Sequence, residues 1–465
     1  MKTNTREISR SVYDIKDTGH DSSRLEKGLT REIVREISAG KNEPDWMLES
    51  RLHSFDLFEK LGMPAWGPSL AELDMNQIVT YVRPNINMTD DWKELPSDIR
   101  QTFDRLGIPK AEQESLSGVG AQYDSEVVYH NMQEDLKSSG VIYTDMETAI
   151  REYEDIVKKH FMKLLPAGDH KFMALHGAVW SGGSFVYVPK GVSVPMPLQS
   201  YFRLNAPGAG QFEHTLIICE DESSLHFIEG CSAPRYNVLN LHAGCVELYV
   251  GEGASLRYST IENWSKNMLN LNSKRAKVQK GGSIEWVSGT FGSHITMLYP
   301  TSILQGEGAR SEYTGVSFAS EGQILDTGAK VIHAASNTSS TMNSKSISKQ
   351  GGNTTTRSSV QVMPGTENVK ASVSCEALMM DNISRSDTIP AMDIRSDGAD
   401  IGHEAKIGRI SDEAIFYLMS RGLSEGEARA MIVRGFVEPV AKELPLEYAV
   451  EMNRLVGLEL EGTIG

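Results

Sequence analysis

The sequence predicts a mainly β chain built around a long solenoid, with helical regions on either side. Three observations predict it. From about Lys171 to Ile407, short runs alternate apolar and polar in period two and are cut by Gly, Ser, Asn and Thr. Segments of the form Gly-x-Ser/Arg followed by aromatic or apolar residues recur near 253, 282 and 308, roughly 25–30 residues apart, as expected where each coil covers the next. Outside that stretch the apolar residues return to helical spacing. Strand runs with no helical pattern between them exclude a doubly wound α/β fold.

Residues 1–170 read as a mainly helical N-terminal region. Thr30 caps a helix with Ile33, Val34 and Ile37 on its apolar face and Gly40 as its stop. Pro44 suits the first turn of a second helix, whose stripe is Leu48, Leu52, Phe55 and Phe58, ended by Gly62. A third helix is expected from about Asp145 to Leu165, burying Ile150, Tyr153, Val157 and Phe161. The segment SGVGAQYDSE (117–126) lacks the full glycine pattern and the Lys-Ser/Thr of a phosphate-binding loop, so it reads as an ordinary turn and supplies no ATP site.

Residues 171–407 form the core, with runs such as SFVYVPKGV, HTLIICEDESSLHFIEG, CVELYVGEGASLRYSTIEN and GSIEWVSGTF. The Ser/Thr/Asn-rich tract 336–359 has the side chains of polar strand ladders and is read as strand. Residues 408–465 return to helix. Ser411 starts one helix, Ser424 and Glu427 form a capping box for the next, and Pro445 opens a third with Leu446, Ala449, Val450, Leu455 and Leu458 apolar. On their own, such helices read as a cap on the solenoid end.

Composition narrows the function. The chain has 465 residues and a net charge of −16, which argues against nucleic acid or an anionic membrane as partner. The first residues carry no apolar signal segment and no run is long enough to span a membrane, so a cytoplasmic location is expected. The four cysteines, Cys219, Cys231, Cys245 and Cys375, form no C-x-x-C pair, which argues against a structural zinc site. Cys219 and Cys245 lie in apolar runs and read as core.

Cys231, in IEGCSAPRYN, reads as a reachable thiol at a strand tip, with Arg235 positioned to favour its thiolate. Cys375 precedes the pair His403 and Glu404 by about one coil, so the three can stack on neighbouring rungs. Thiolate, imidazole and carboxylate together suit iron or zinc. A Cys-His nucleophile would need an oxyanion element that is not identifiable here. A β-helix polysaccharide lyase would need a carboxylate-lined groove, and no Asp-rich strand edge is present.

The motifs KNEPDWMLESRL, FEKLGMPAWGPSLAELD, GSFVYVPKGV, SYFRLNAPGAGQFEHTLI, EGCSAP, YSTIENW, DTGAKVIH, GHEAKIG and ELPLEYAVEMNRL occur in this order. With them the chain resembles the SufB/SufD family of the SUF iron–sulfur cluster assembly machinery. The resemblance implies a right-handed parallel β-helix flanked by helices, and an assembly scaffold rather than an enzyme. It implies a SufC-type ATPase that docks on the C-terminal helices and alone binds ATP, and a SufD paralogue or a second copy of the chain. Sulfur would arrive from a cysteine desulfurase or a sulfur carrier, and a transient iron–sulfur cluster would pass to apo Fe–S proteins. Whether a reduced flavin takes part in the complex is left open.

By the same resemblance Cys231 matches the sulfur acceptor. Arg203, Asn205, Thr260 and Lys274 match residues of a sulfur path, and Cys375, His403 and Glu404 match the metal site. Gly402 stands where family members often carry an acidic residue. Cys219 and Cys245 match no family cysteine of assigned role. The EGCSAP motif and the Cys375, His403 and Glu404 set favour the sulfur-accepting scaffold over a SufD-like structural subunit.

Overall fold

A computed structural model describes residues 14–17, 23–442, 444 and 446–461. Mainly strands, it is a β-solenoid of about eight turns flanked by helices at both ends of the chain. One long sheet carries a strand from every turn: Leu198–Arg203, Ser224–Ser232, Ser255–Asn263, Ser283–Phe291, Arg310–Ala319, Ser339–Ser348, Val369–Met379 and Ala399–Arg409. Neighbours pair in parallel without slippage, so side chains of one face stack in columns along the solenoid. The second sheet begins as two branches, one through His214–Cys219 and one through Gly210–Gln211. They merge in the single strand Ile324–His333. Early turns therefore have three sides and late turns two.

The interior is built from the alternation itself. One inward column reads Leu198, Phe227, Tyr258, Trp286, Tyr313, Met342, Val373 and His403. Phe227 and Tyr258 stack with ring centroids 5.6 Å apart, and Tyr258 meets Trp286 edge-on at 5.6 Å. Each such pair adds about 0.5–1.5 kcal/mol beyond its buried area. The tract 336–359 contains the strands Ser339–Ser348 and Asn353–Val362, so the ladder reading holds.

The first edge of the solenoid is closed by the N-terminal region. SGVGAQYDSE is not a simple turn: Gly118–Tyr123 is a buried strand parallel to Leu198–Arg203, and only Asp124 and Ser125 turn, into the antiparallel strand Glu126–Met132. Its glycines are packing residues. A Cβ on Gly120 would lie 2.8 Å from the Tyr143 hydroxyl. Ile142–Asp145 closes the second sheet in the same antiparallel manner.

The helices depart from expectation in three places. The span from Asp145 divides into Met146–Glu152 and Glu154–His160, because Tyr153 leaves the helical region (φ −127°, ψ 37°). The helix Asp45–Lys60 buries Phe58 of the predicted stripe and half-buries Leu48, Leu52 and Phe55, but its most buried side also takes in Met47, Arg51 and Ser54. Arg51 turns that face inward by pairing with Glu43 at 2.6 Å and donating to the carbonyls of Ala178 and Trp180. Lys171–Val179 is a helix, not the first strand, and the solenoid starts at Ser184–Val188. It is buried on nearly every side, so no one-sided stripe reveals its period.

At the C-terminal side Ser411 caps Asp412–Met419, and the Ser424/Glu427 box caps Glu425–Ala441. The third helix, Leu446–Glu461, buries Leu455, half-buries Leu458 and leaves Val450 exposed. Pro445 and the Leu446 side chain lie outside the described residues. These helices do not cover the solenoid end. They fold back along the outer face of the long sheet, where Val433, Val437, Met452 and Val456 pack near Ile228, Ile261, Val287 and Val316.

Candidate sulfur and metal sites

The strand Ser224–Ser232 points Phe227, Glu229 and Cys231 into the solenoid and Ile228 out toward the helices. Cys231 is therefore not at a reachable tip. It is 1% exposed, and the Arg235 expected beside it is at the surface, its backbone N–H donating to Asp14. Burial pushes the Cys231 thiol well up, and the carboxylates of Glu229, Glu213 and Glu262 push it further. The cation that opposes them is Lys274, from a facing strand.

Lys274 is the centre of a buried polar network. Its Nζ donates to Glu229 Oε1 at 2.7 Å and to Thr260 Oγ1 at 2.9 Å, and Tyr258 donates to the other Glu229 oxygen. Cys231 Sγ lies 4.0 Å from Glu229 Oε1. Burial pulls the Lys274 pKa down, but Glu229 and Glu262 outweigh it and the net shift is upward. Glu262, beside Cys231 on the next rung, accepts from Asn270 at 2.8 Å, and Asn270 meets His242 at 2.7 Å, which pairs with Glu213. Burial raises the Glu262 carboxyl. Charged groups persist in such an interior only when paired, as these are. A cavity of about 390 Å³ lined by Trp66, His170, Arg275 and Arg357 reaches Lys274.

Of the expected sulfur-path residues, Thr260 and Lys274 converge on Cys231 through Glu229. Arg203 and Asn205 do not. Arg203 pairs in register with Ser232, on the opposite face of the strand, donating to Ser232 Oγ at 3.0 Å and to the Ile15 carbonyl at 2.7 Å. The Asn205 amide donates to the Asp17 carbonyl at 3.2 Å. Both tie the segment 14–17 to the first turn.

Cys375 also points inward, 2% exposed, 3.5 Å from Ser358 Oγ, and burial raises its thiol. Its register partner on the last rung is Ala405, while His403 stands beside Val373, so His403 shares the inward face two positions away. Glu404 points to the opposite face and pairs with Lys406 at 2.9 Å. Within one chain the three expected ligands do not converge, because adjacent strand residues must diverge.

Two inward columns join the cysteines. Glu229 stacks with Thr260, Ser288, Gly315, Ser344 and Cys375. Cys231 stacks with Glu262, Thr290, Ser317, Ser346 and Ala377. Five ladder steps separate the two rungs, about 24 Å at ~4.8 Å per step. The hydroxyl-bearing members are buried, and Ser344 Oγ has no partner among the described residues.

Sequence reading missed Glu229, Glu262, Tyr258 and His242. The available signal was an acid at an inward position in each of two adjacent runs, HFIEGC and YSTIEN.

Comparison with known proteins shows the family. The SUF system FeS cluster assembly SufBD core domain matches residues 202–436, and the SufBD protein N-terminal region matches 35–200. The iron–sulfur cluster assembly protein SufB of Bacillus subtilis (strain 168) is 51% identical over 459 residues, 99% of both chains. An iron–sulfur cluster assembly SufBD family protein of Staphylococcus aureus (strain MRSA252) is 51% identical over 458 residues, 98% of both. The chain belongs to the SufB/SufD family of the SUF iron–sulfur cluster assembly system.

Proposed function

We propose that this chain is the sulfur-accepting scaffold of a SUF complex: Cys231 takes sulfur from a persulfide donor, and Cys375 holds it for a nascent iron–sulfur cluster. The observation that carries this is the pair of small, hydroxyl-lined columns running from the Cys231 rung to the Cys375 rung. Cys231 attacks the outer sulfur of the donor persulfide as a thiolate, and the donor thiolate leaves. Lys274 supplies the positive charge that a sulfur anion needs there. Thr260, Ser288, Ser344, Thr290, Ser317 and Ser346 offer hydrogen bonds to it along the interior.

The ligand set at the far end is completed by another chain. The last strands, Arg385–Ile394 and Ala399–Arg409, are open sheet edges, and Ile389, Met392, Ile394 and Ile407 are exposed on them. A SufD-type paralogue or a second copy pairs there, bringing its residues to Cys375 and His403, with Glu404 as a hard oxygen ligand for incoming iron. A SufC-type ATPase docks on the C-terminal helices, where Phe416, Tyr417 and Met419 are exposed. ATP-driven movement of that partner opens the interior to the donor, and Arg203 and Asn205 anchor the wall that moves.

The test is sulfur loading of the full complex by a cysteine desulfurase, with persulfide mapped by mass spectrometry. Cys231→Ala should lose label at both cysteines, and Cys375→Ala should keep it at Cys231. A second reading, a SufD-like structural subunit without its own sulfur, is favoured by one observation: the Cys231 thiol is sealed and its pKa is high. Absence of persulfide on Cys231 in the intact complex would select it.

A further inference from the structure

A second cluster of soft ligands lies outside the solenoid interior. His176 is on the helix Lys171–Val179, His214 opens the strand His214–Cys219, and Cys245 opens Cys245–Val250. Cys245 and His214 are register partners on parallel neighbours and point outward together, toward that helix. One ligand atom from each of the three lies within 4.8 Å of the others, and all three are fully buried.

Both imidazoles turn one nitrogen to the shared space, and His176 has its other nitrogen engaged by an outer acceptor. His176 Nδ1 faces the Ala243 carbonyl at 2.9 Å, which only accepts, so this nitrogen carries the proton and Nε2 keeps its lone pair. His214 Nε2 lies 3.2 Å from Glu247 Oε2. The two remaining nitrogens, His176 Nε2 and His214 Nδ1, face each other at 3.1 Å.

We propose that His176, His214 and Cys245 bind a resident zinc ion that fastens the N-terminal helix to the solenoid wall. Zinc bonds of about 2.0 Å to nitrogen and 2.3 Å to sulfur set tetrahedral N···N separations near 3.3 Å, close to the spacing of the two rings. The Ala243 carbonyl is an outer partner of the kind that fixes a metal-binding ring, and the Glu247 carboxylate lies beside the other ring. Glu247 is held in place by the backbone N–H groups of Met162, Leu164 and Leu165 at 2.5, 2.6 and 3.0 Å. Charge balances. Without metal, Cys245 is a neutral buried thiol. Zinc entry releases the thiol proton to water, and Zn²⁺ then offsets one thiolate and the neighbouring carboxylate. The site is separate from the Cys231 and Cys375 chemistry.

The test is the metal content of the full chain purified from zinc-supplied cells and desalted. About one zinc per chain is expected in wild type and in Cys231→Ala, with at least a roughly fivefold loss in His214→Gln and Cys245→Ser. Zinc-edge X-ray absorption of the wild type should show one sulfur and two imidazoles, and it decides the matter even if both variants misfold. A folded wild-type chain without zinc, zinc that persists in both variants, or iron at that stoichiometry would overturn the proposal.

Discussion

The two ends of the solenoid carry the same ladder but opposite chemistry. At the first turns, Lys274, Glu229 and Glu262 are sealed between the sheets, paired and fully buried. At the last turn, Glu404 and Lys406 pair in solvent and His403 is exposed. The N-terminal strands cover the first edges, whereas the last strands have no neighbour on their outer side among the described residues. The difference teaches that one end is finished by the chain itself, whereas the other is left as an open edge, the one at which we propose that a partner pairs. Charge at the closed end is locked into buried pairs, while at the open end it is solvated.

The largest effect should separate the two lysines. Lys274→Met leaves Glu229 buried without its cation and should cost about 3–5 kcal/mol of stability, read from urea unfolding. Lys406→Met should leave the urea midpoint where it is, since its pair is solvated. Equal losses at both sites would break the comparison. A Lys274→Met/Glu229→Gln double variant should recover part of the loss, because Glu229 no longer stands as an unpaired charge.

A second difference is in pH. Asp124, buried at the closed end, has its carboxyl pushed up from 3.8 to about 6 by burial, although the Ala206 and Asn205 amides oppose the shift. Between about pH 4 and pH 6 the folded chain keeps a proton that the unfolded chain has lost. Stability therefore falls as pH rises through that window, by up to about 3 kcal/mol at 1.36 kcal/mol per pKa unit. Asp124→Asn, whose Oδ1 can still accept both amides, should flatten that slope. An unchanged slope would remove Asp124 as its source.

The smallest effect on the isolated chain belongs to the open end. Ile389→Ser with Ile407→Ser should shift unfolding by no more than about 0.5 kcal/mol per site, because both side chains are already exposed. The same double variant should weaken assembly with a SufD-type partner or a second copy, read by sedimentation. Intact assembly would place the interface elsewhere.

Much of this was legible in the sequence. Period-two runs and their recurrence foretold the solenoid, and Thr30, Ser411 and the Ser424/Glu427 box marked helix starts that the structure bears out. The N-terminal closure was not legible, because Gly118–Tyr123 is buried on both faces and shows no alternation. Nor was the orientation of Cys231. Proximity to Arg235 along the chain suggested a surface thiol, but the alternation of its strand turns it toward Lys274, 43 positions away in the sequence. The His176, His214 and Cys245 cluster has no local spacing to read, since three separate elements supply one ligand each.

The most direct measurement follows sulfur in time. Isotopically labelled sulfane sulfur would be delivered by a desulfurase to the assembled complex, quenched at intervals, and located by peptide mass spectrometry. Label should appear on Cys231 first and on Cys375 later, and Cys231→Ala should abolish both. Label reaching Cys375 at the wild-type rate in Cys231→Ala would contradict the interior route.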